Sequence, residues 1–210
     1  MSLGSLPGRL TRRGVLLIDA LLVRCYGVKT FTDDPECILR TSFRRLKDPV
    51  SLPGGARLGS GDKLLEIHFW NEHLPPIEEE GADMLWGRQF GRRLAHSLRL
   101  LAAWATVDPR CAGFAAVHGR LGFIPADGVE LTKNLAARFG FMLELQVASG
   151  MRFWTGAFWA GLYAWWLMWT FNPHTLRRKR FRQMALSDLW MTRETVLGRY
   201  GEGPRRSGSG

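Results

Sequence analysis

Residues 63–70 read KLLEIHFW, and their alternation is the clearest structural signal in this chain. Leu65, Ile67 and Phe69 occupy every second position. Only the two-residue period of a β-strand places all three side chains on one face. We therefore predict a strand over residues 63–70, with one buried apolar face and an opposite face that carries polar groups.

The segments around this strand indicate an α+β domain. Residues 37–45 alternate like a strand, and turns at 53–55 and 59–62 flank a short strand at 56–58. Residues 84–105 repeat apolar side chains in steps of three and four, which predicts a long helix. The remaining predictions are helices over 10–25 and 131–139, strands over 112–118 and 141–147, and a last helix that begins after Thr192 as N-cap. We expect a small antiparallel sheet that is flanked by helices.

An apolar run without a single charge occupies residues 153–171 (FWTGAFWAGLYAWWLMWTF). Its length falls within the roughly 17–25 residues that cross a bilayer. In a spanning helix the Trp residues would collect at the two interfaces, whereas several lie inside this run. We therefore predict a Trp-rich apolar helix near the C-terminus that packs partly on the domain and lies partly at the level of the lipid headgroups. A buried core helix and a true span are the alternatives.

A cluster of cations follows this run after Asn172 and Pro173, and the formal net charge of the chain is +10. The excess lies at the two ends of the chain, next to its most apolar segments, where an anionic membrane surface would attract it. Nucleic-acid binders more often spread their cations over a groove with interleaved aromatic residues, so we expect no nucleic acid as partner. The expected membrane-binding residues are Trp154, Trp159, Trp165, Trp166, Trp169, Arg177, Arg178, Lys179, Arg180 and Arg182.

The residues that most resemble a functional site are Glu66, His68, Asn71, Glu72 and His73. Glu66 and His68 lie two apart on one strand face, with their side chains about 7 Å apart. A carboxylate beside an imidazole could perform acid–base chemistry or bind a metal. No nucleophile accompanies them, and no recognised metal-ligand spacing is present, so a purely structural hydrogen bond is the alternative. The sequence alone therefore identifies no catalytic residue, no metal and no cofactor.

Several segments, in the same order along the chain, resemble the YkoP-like domain family over about residues 31–201. They are CILR at 37–40 before the turn LPGG at 52–55, GDKLLEIHFWNE at 61–72, LWMTR at 189–193 and RYG at 199–201. Gly54-Gly55 departs from the Asp-Gly that this turn often has in the family. The resemblance implies a bacterial protein that stands alone or is attached to a polysaccharide deacetylase, and therefore a role in the cell envelope. It implies no catalytic mechanism.

These observations predict a single domain over residues 1–201, with an apolar, basic helix within residues 1–30 and a disordered tail at 202–210. We expect a membrane-associated, non-catalytic accessory or scaffold protein in bacterial cell-envelope polysaccharide or lipid metabolism, with envelope-biosynthesis enzymes as partners. It would lie on the cytoplasmic face of the inner membrane, peripheral or monotopic, or in the cytoplasm if residues 153–171 belong to the core. The alternative is an enzyme that acts on a lipid-linked or sugar substrate through Glu66 and His68.

Overall fold

The structure, a computed structural model, describes residue 24 and residues 27–77, 83–125, 128–145 and 184–201. These residues form a mixed fold of helices and strands, as the sequence predicts. In chain order the elements are β1 (Leu39–Arg45), β2 (Val50–Ser51), β3 (Arg57–Leu58), β4 (Lys63–Phe69), α1 (Met84–Val107), β5 (Ala116–Pro125), α2 (Val129–Arg138), β6 (Met142–Leu145), β7 (Met184–Thr192) and α3 (Arg193–Tyr200).

Five of the strands form one sheet in the order β1-β4-β5-β7-β6, and β2 pairs with β3 in a separate hairpin. Every neighbouring pair in the larger sheet is antiparallel except β4 and β5, which run parallel. The predicted antiparallel sheet is therefore confirmed except at this one pair. The reason lies in the connection, because α1 stands between the two strands and a crossover of this kind returns the chain parallel to its start.

The apolar face of the sheet packs against the helices and forms the main core. Leu65 and Val117 of the sheet belong to the same buried cluster as Leu98 and Leu101 of α1 and Val196 of α3. The predicted face of β4 is confirmed at its first two apolar positions, while Phe69, nearer the end of the strand, is only partly buried. Burial of each large aliphatic side chain contributes about 1.5–3 kcal/mol to folding, so this face carries much of the stability.

The opposite face, here called the polar face, is covered at one end by the β2–β3 hairpin. The hairpin contributes Leu52 and Leu58 to a second, smaller cluster that also contains Leu64 and Trp190 of the sheet. Its turn is the one predicted at residues 53–55, and Gly55 adopts φ +85°, a conformation that side chains disfavour. Beyond this small core the polar face carries charged and hydroxyl side chains.

Most element predictions are confirmed with small shifts at their ends, including β1, β4, α1, α2, β6 and the α3 N-cap at Thr192. The strand predicted at 112–118 begins instead at Ala116, because a 3-10 turn at Pro109–Cys111 and Gly113 with φ +68° precede it. No element was predicted for β7, which follows the cationic cluster. The predicted helix at 10–25, the apolar run 153–171, the cations at 177–182 and the tail at 202–210 lie outside the described residues, apart from helical Arg24. Within the described ranges, no helix combines the length and the apolar character that a membrane span requires.

Candidate functional site on the polar face

The strand register brings polar side chains from four strands together. Ser42 of β1 pairs with Glu66 of β4, Glu66 pairs with His118 of β5, and His118 pairs with Trp190 of β7. Directly paired residues lie on the same face of a sheet, so these four side chains form one row across the polar face. Asp188 of β7 lies on the same face as Trp190, because the two residues are two positions apart.

His118 lies at the centre of this row and is 2% exposed. Its Nδ1 lies 3.1 Å from Oε1 of Glu66, and its Nε2 lies 3.1 Å from Oδ1 of Asp188. Burial lowers the pKa of His118, but the hydrogen bonds to Asp188 and Glu66 outweigh it, so the pKa is raised above 6.5. Since carboxylates only accept hydrogen bonds, both ring nitrogens donate when His118 is protonated.

Each of the two carboxylates also contacts an arginine. Nε of Arg44 lies 2.8 Å from Oε1 of Glu66, and Nε of Arg120 lies 3.4 Å from Oδ1 of Asp188. Burial alone would raise the pKa of Glu66, but the hydrogen bond from His118 and the charges of Arg44 and His118 lower it. Glu66 is therefore an anion at neutral pH. The two arginine side chains are 41% and 47% exposed, so the network extends from a buried centre to the solvent.

His68 stands next to this network through Ser42. Oγ of Ser42 lies 2.9 Å from Nε2 of His68 and 3.4 Å from Oε2 of Glu66. The hydroxyl can donate to ionised Glu66 while it accepts from Nε2–H of His68, which leaves a lone pair on Nδ1. Within the described part of the chain, Nδ1 of His68 has no hydrogen-bond partner.

The electrostatic surroundings keep His68 neutral. Burial lowers its pKa the most, and the charges of His118 and Arg120 lower it further, against the opposing effect of Glu66. The same carboxylate thus lies between two histidines whose pKa values are shifted in opposite directions. Pairs of titratable groups that are separated in this way are typical of acid–base sites.

The sequence predicted Asn71, Glu72 and His73 as further members of this site, and the structure places them in a 3-10 turn at the end of β4. His73 donates from Nδ1 to the carbonyl oxygen of Cys37 at 2.8 Å. Glu72 lies 3.7 Å from Nη2 of Arg40. The structure therefore brings Glu66 and His68 into the network, whereas these contacts of Glu72 and His73 lie outside it.

Sequence reasoning missed five members of the network: Ser42, Arg44, His118, Arg120 and Asp188. A signal exists for His118, Arg120 and Asp188, because each is a polar residue at an alternate position of a largely apolar strand, whereas β1 (LRTSFRR) is polar at most of its positions. That signal does not say which strands are neighbours. Only the register of the parallel β4–β5 pair and of β7 brings them together.

The described residues hold no group of three or more His, Cys, Asp or Glu side chains arranged to bind a metal ion. The chemistry that the geometry supports is proton transfer, with a neutral imidazole next to a charged, hydrogen-bonded array.

Comparison with known proteins identifies the family of the chain. The family model described as the YkoP domain matches residues 9–200, which is most of the sequence. No curated protein and no solved structure matches the chain.

Proposed function

The chain belongs to the YkoP domain family, and we propose that it is an enzyme that uses His68 on the polar face as a general base. The observation that carries this proposal is the arrangement of two histidines around Glu66. His118 is fixed by two carboxylates, while His68 contacts the same carboxylate only through the hydroxyl of Ser42. The pKa of His118 is thus raised, whereas the pKa of His68 is lowered.

In this proposal Nδ1 of His68 accepts a proton from a substrate hydroxyl group or from a water molecule. A general base must be unprotonated at the working pH, and the lowered pKa of His68 meets this condition. When His68 accepts the proton it becomes positively charged. The negative charge of Glu66, on the other side of Ser42, stabilises this cation in the transition state. The oxygen that loses the proton becomes the nucleophile.

His118, Asp188 and Arg44 act as positioning residues. His118 has both ring nitrogens engaged and is almost completely buried, so it does not reach a substrate. Its role is to hold Glu66 ionised and in place beside Ser42. A buried ion network of this kind is often no more stabilising than apolar residues of the same volume, so its presence favours a functional role over a structural one.

The membrane location predicted from the sequence remains part of the proposal. The Trp-rich run at 153–171, which we propose to be a helix, and the cations at 177–182 would attach the protein to an anionic surface. A substrate that is lipid-linked, or a sugar of the bacterial cell envelope, would suit that location on the cytoplasmic side. The same features favour a second candidate, a non-catalytic accessory protein of the envelope-biosynthesis enzymes, in which the polar face has no catalytic role.

The titration of the histidines tests the base directly. In the full chain with ¹⁵N-labelled histidine, NMR should show His68 with a pKa below 6.5 and His118 with a pKa above 6.5. The S42A variant should change the tautomer signals of His68, because its partner at Nε2 is lost. An ordinary, unshifted titration of His68 would contradict the proposed base.

A cellular test separates the enzyme from the accessory protein. Cells that lack this gene are complemented with the E66Q/H68N double variant or with H96N as the matched control. His96 pairs with Asp34 away from the polar face. If the protein is an enzyme, E66Q/H68N should fold and fractionate like the wild type but fail to complement. Full complementation by the double variant would support the accessory role.

A further inference from the structure

Two arginines flank His68 on the polar face. Arg40 of β1 is the direct cross-strand partner of His68. On the other side, the parallel pairing of β4 with β5 runs to Ile67 and Gly119, and Arg120 is the next residue of β5 just as His68 is the next residue of β4. The charge of Arg120 lowers the pKa of His68, which is consistent with this proximity. The order across the face is therefore Arg40, His68, Arg120.

The side chain of Arg40 is held in place by its surroundings. Its guanidinium carbon lies 4.5 Å from the ring centroid of Trp70, a cation–π contact. The indole in turn stacks on His73 at 3.7 Å between ring centroids, and His73 is hydrogen-bonded to the backbone of Cys37. Glu72 approaches Arg40 only to 3.7 Å and its side chain is 43% exposed, so the charge of Arg40 is weakly compensated. The arginine is thus pre-positioned without a short ion pair.

Among the residues that the structure describes, Arg120 is anchored through Nε, and its terminal nitrogens have no partner there. Its contact with Asp188 uses Nε, while the side chain is 47% exposed. Adjacent strands lie about 4.8 Å apart, so the backbones of Arg40 and Arg120 are separated by about 10 Å across β4. Two long arginine side chains can both reach one tetrahedral anion that lies over His68 between them. Guanidinium groups bind phosphate oxygens through paired, charge-assisted hydrogen bonds.

We propose that Arg40 and Arg120 form an anion subsite that holds a phosphate group of the substrate over His68. This inference rests on the proposed function, because it assigns the substrate of that same base. The phosphate would bring an adjacent hydroxyl or a water molecule to Nδ1 of His68. The substrate class is therefore a phosphate ester, with a soluble sugar phosphate and a lipid phosphate as its two possible sources.

The test measures phosphate binding by NMR on the full chain, with inorganic phosphate, glucose 1-phosphate and dihexanoyl phosphatidic acid as separate probes. Each probe that binds should shift the His68 signals. The variants R40Q and R120Q should each weaken binding about tenfold or more, as expected for the loss of a charge-assisted hydrogen bond. The matched control is R99Q, which removes the same charge from the exposed side of α1, beyond the opposite face of the sheet, and should change affinity less than twofold. If thermal denaturation shows that R120Q is not folded, R120K, which retains the charge, serves as the second variant.

The outcomes separate this inference from the proposed base. Tight binding of glucose 1-phosphate indicates a soluble substrate, and binding of the phosphatidic acid alone indicates a lipid headgroup; both support the subsite. If none of the three probes binds, or if R99Q weakens binding as much as R120Q does, the subsite is refuted. A lowered pKa of His68 in the free protein would then still support the base. An ordinary pKa of His68 together with arginine-dependent phosphate binding would refute the base and retain the anion subsite.

Discussion

Replacing His118 with Phe is the sharpest perturbation of the polar face. The ring shape next to Trp190, whose ring centroid lies 4.3 Å from that of His118, is retained. The two N–H donors are lost, so Glu66 and Asp188 remain in a buried region without the cation between them. Removal of one partner from a buried ion pair costs about 3–5 kcal/mol. For a chain of this size that lowers the Tm by roughly 6–20 °C.

The unfolding free energy that H118F loses should depend on pH. The pKa of His118 is raised in the folded protein, so its contribution is complete below 6.5 and is lost as the pH rises through the raised value. The pKa of Glu66 is lowered, so its contribution is complete above 4.5 and is lost as the pH falls through the lowered value. The difference in unfolding free energy between wild type and H118F should therefore be largest between pH 4.5 and 6.5. It should decrease on both sides of that window.

Urea denaturation at pH 3, 5.5 and 9 measures this difference. The matched control is H96F, which removes a histidine from the half-exposed pair with Asp34 and should cost less than about 1 kcal/mol. Adding E66Q to H118F should recover part of the lost stability, because it removes one of the two carboxylate charges that no longer contact His118. A cost for H118F that is independent of pH, or no larger than that of H96F, would show that the charges of the network are not coupled as described.

The remaining predictions concern the backbone and the membrane. Gly140 ends α2 with φ +84°, and a Cβ there would lie 3.2 Å from Cγ2 of Thr195, so G140A should lower the unfolding free energy by about 1–2 kcal/mol. Gly198 lies within α3 with open space around it, so G198A should raise it by about 0.5–1 kcal/mol; equal effects of the two changes in thermal melts would refute this distinction. Replacing Arg177, Arg178, Lys179, Arg180 and Arg182 with Gln should weaken binding to anionic vesicles at low salt by several kcal/mol, at about 1 kcal/mol per cation, while neutral vesicles show little change. Vesicle flotation at two salt concentrations checks this. If the intact chain binds neither vesicle type, residues 153–171 belong to the core.

The parts of the fold that the sequence predicts are those with a strong local period. The alternation at Leu65 and Ile67 identified β4 and placed Glu66 and His68 on one face, and the steps of three and four along α1 identified the long helix. Pairing between strands depends on contacts far apart in the chain, and no local pattern contains it. The parallel β4–β5 pair and the insertion of β7 between β5 and β6 were missed for this reason, and His118 and Asp188 were missed with them.

Folding and formation of the site are coupled through β7. The hydrogen bond from His118 to Asp188 joins residues 70 positions apart, whereas His118 and Glu66 are separated by 52. Before β7 is in place, His118 has one carboxylate partner instead of two, and the effect of burial on its pKa is opposed by fewer hydrogen bonds. His118 would then be less charged, and the compensation of Glu66 would weaken. The raised pKa of His118 therefore depends on both neighbours of β5, since Glu66 comes from β4 and Asp188 comes from β7.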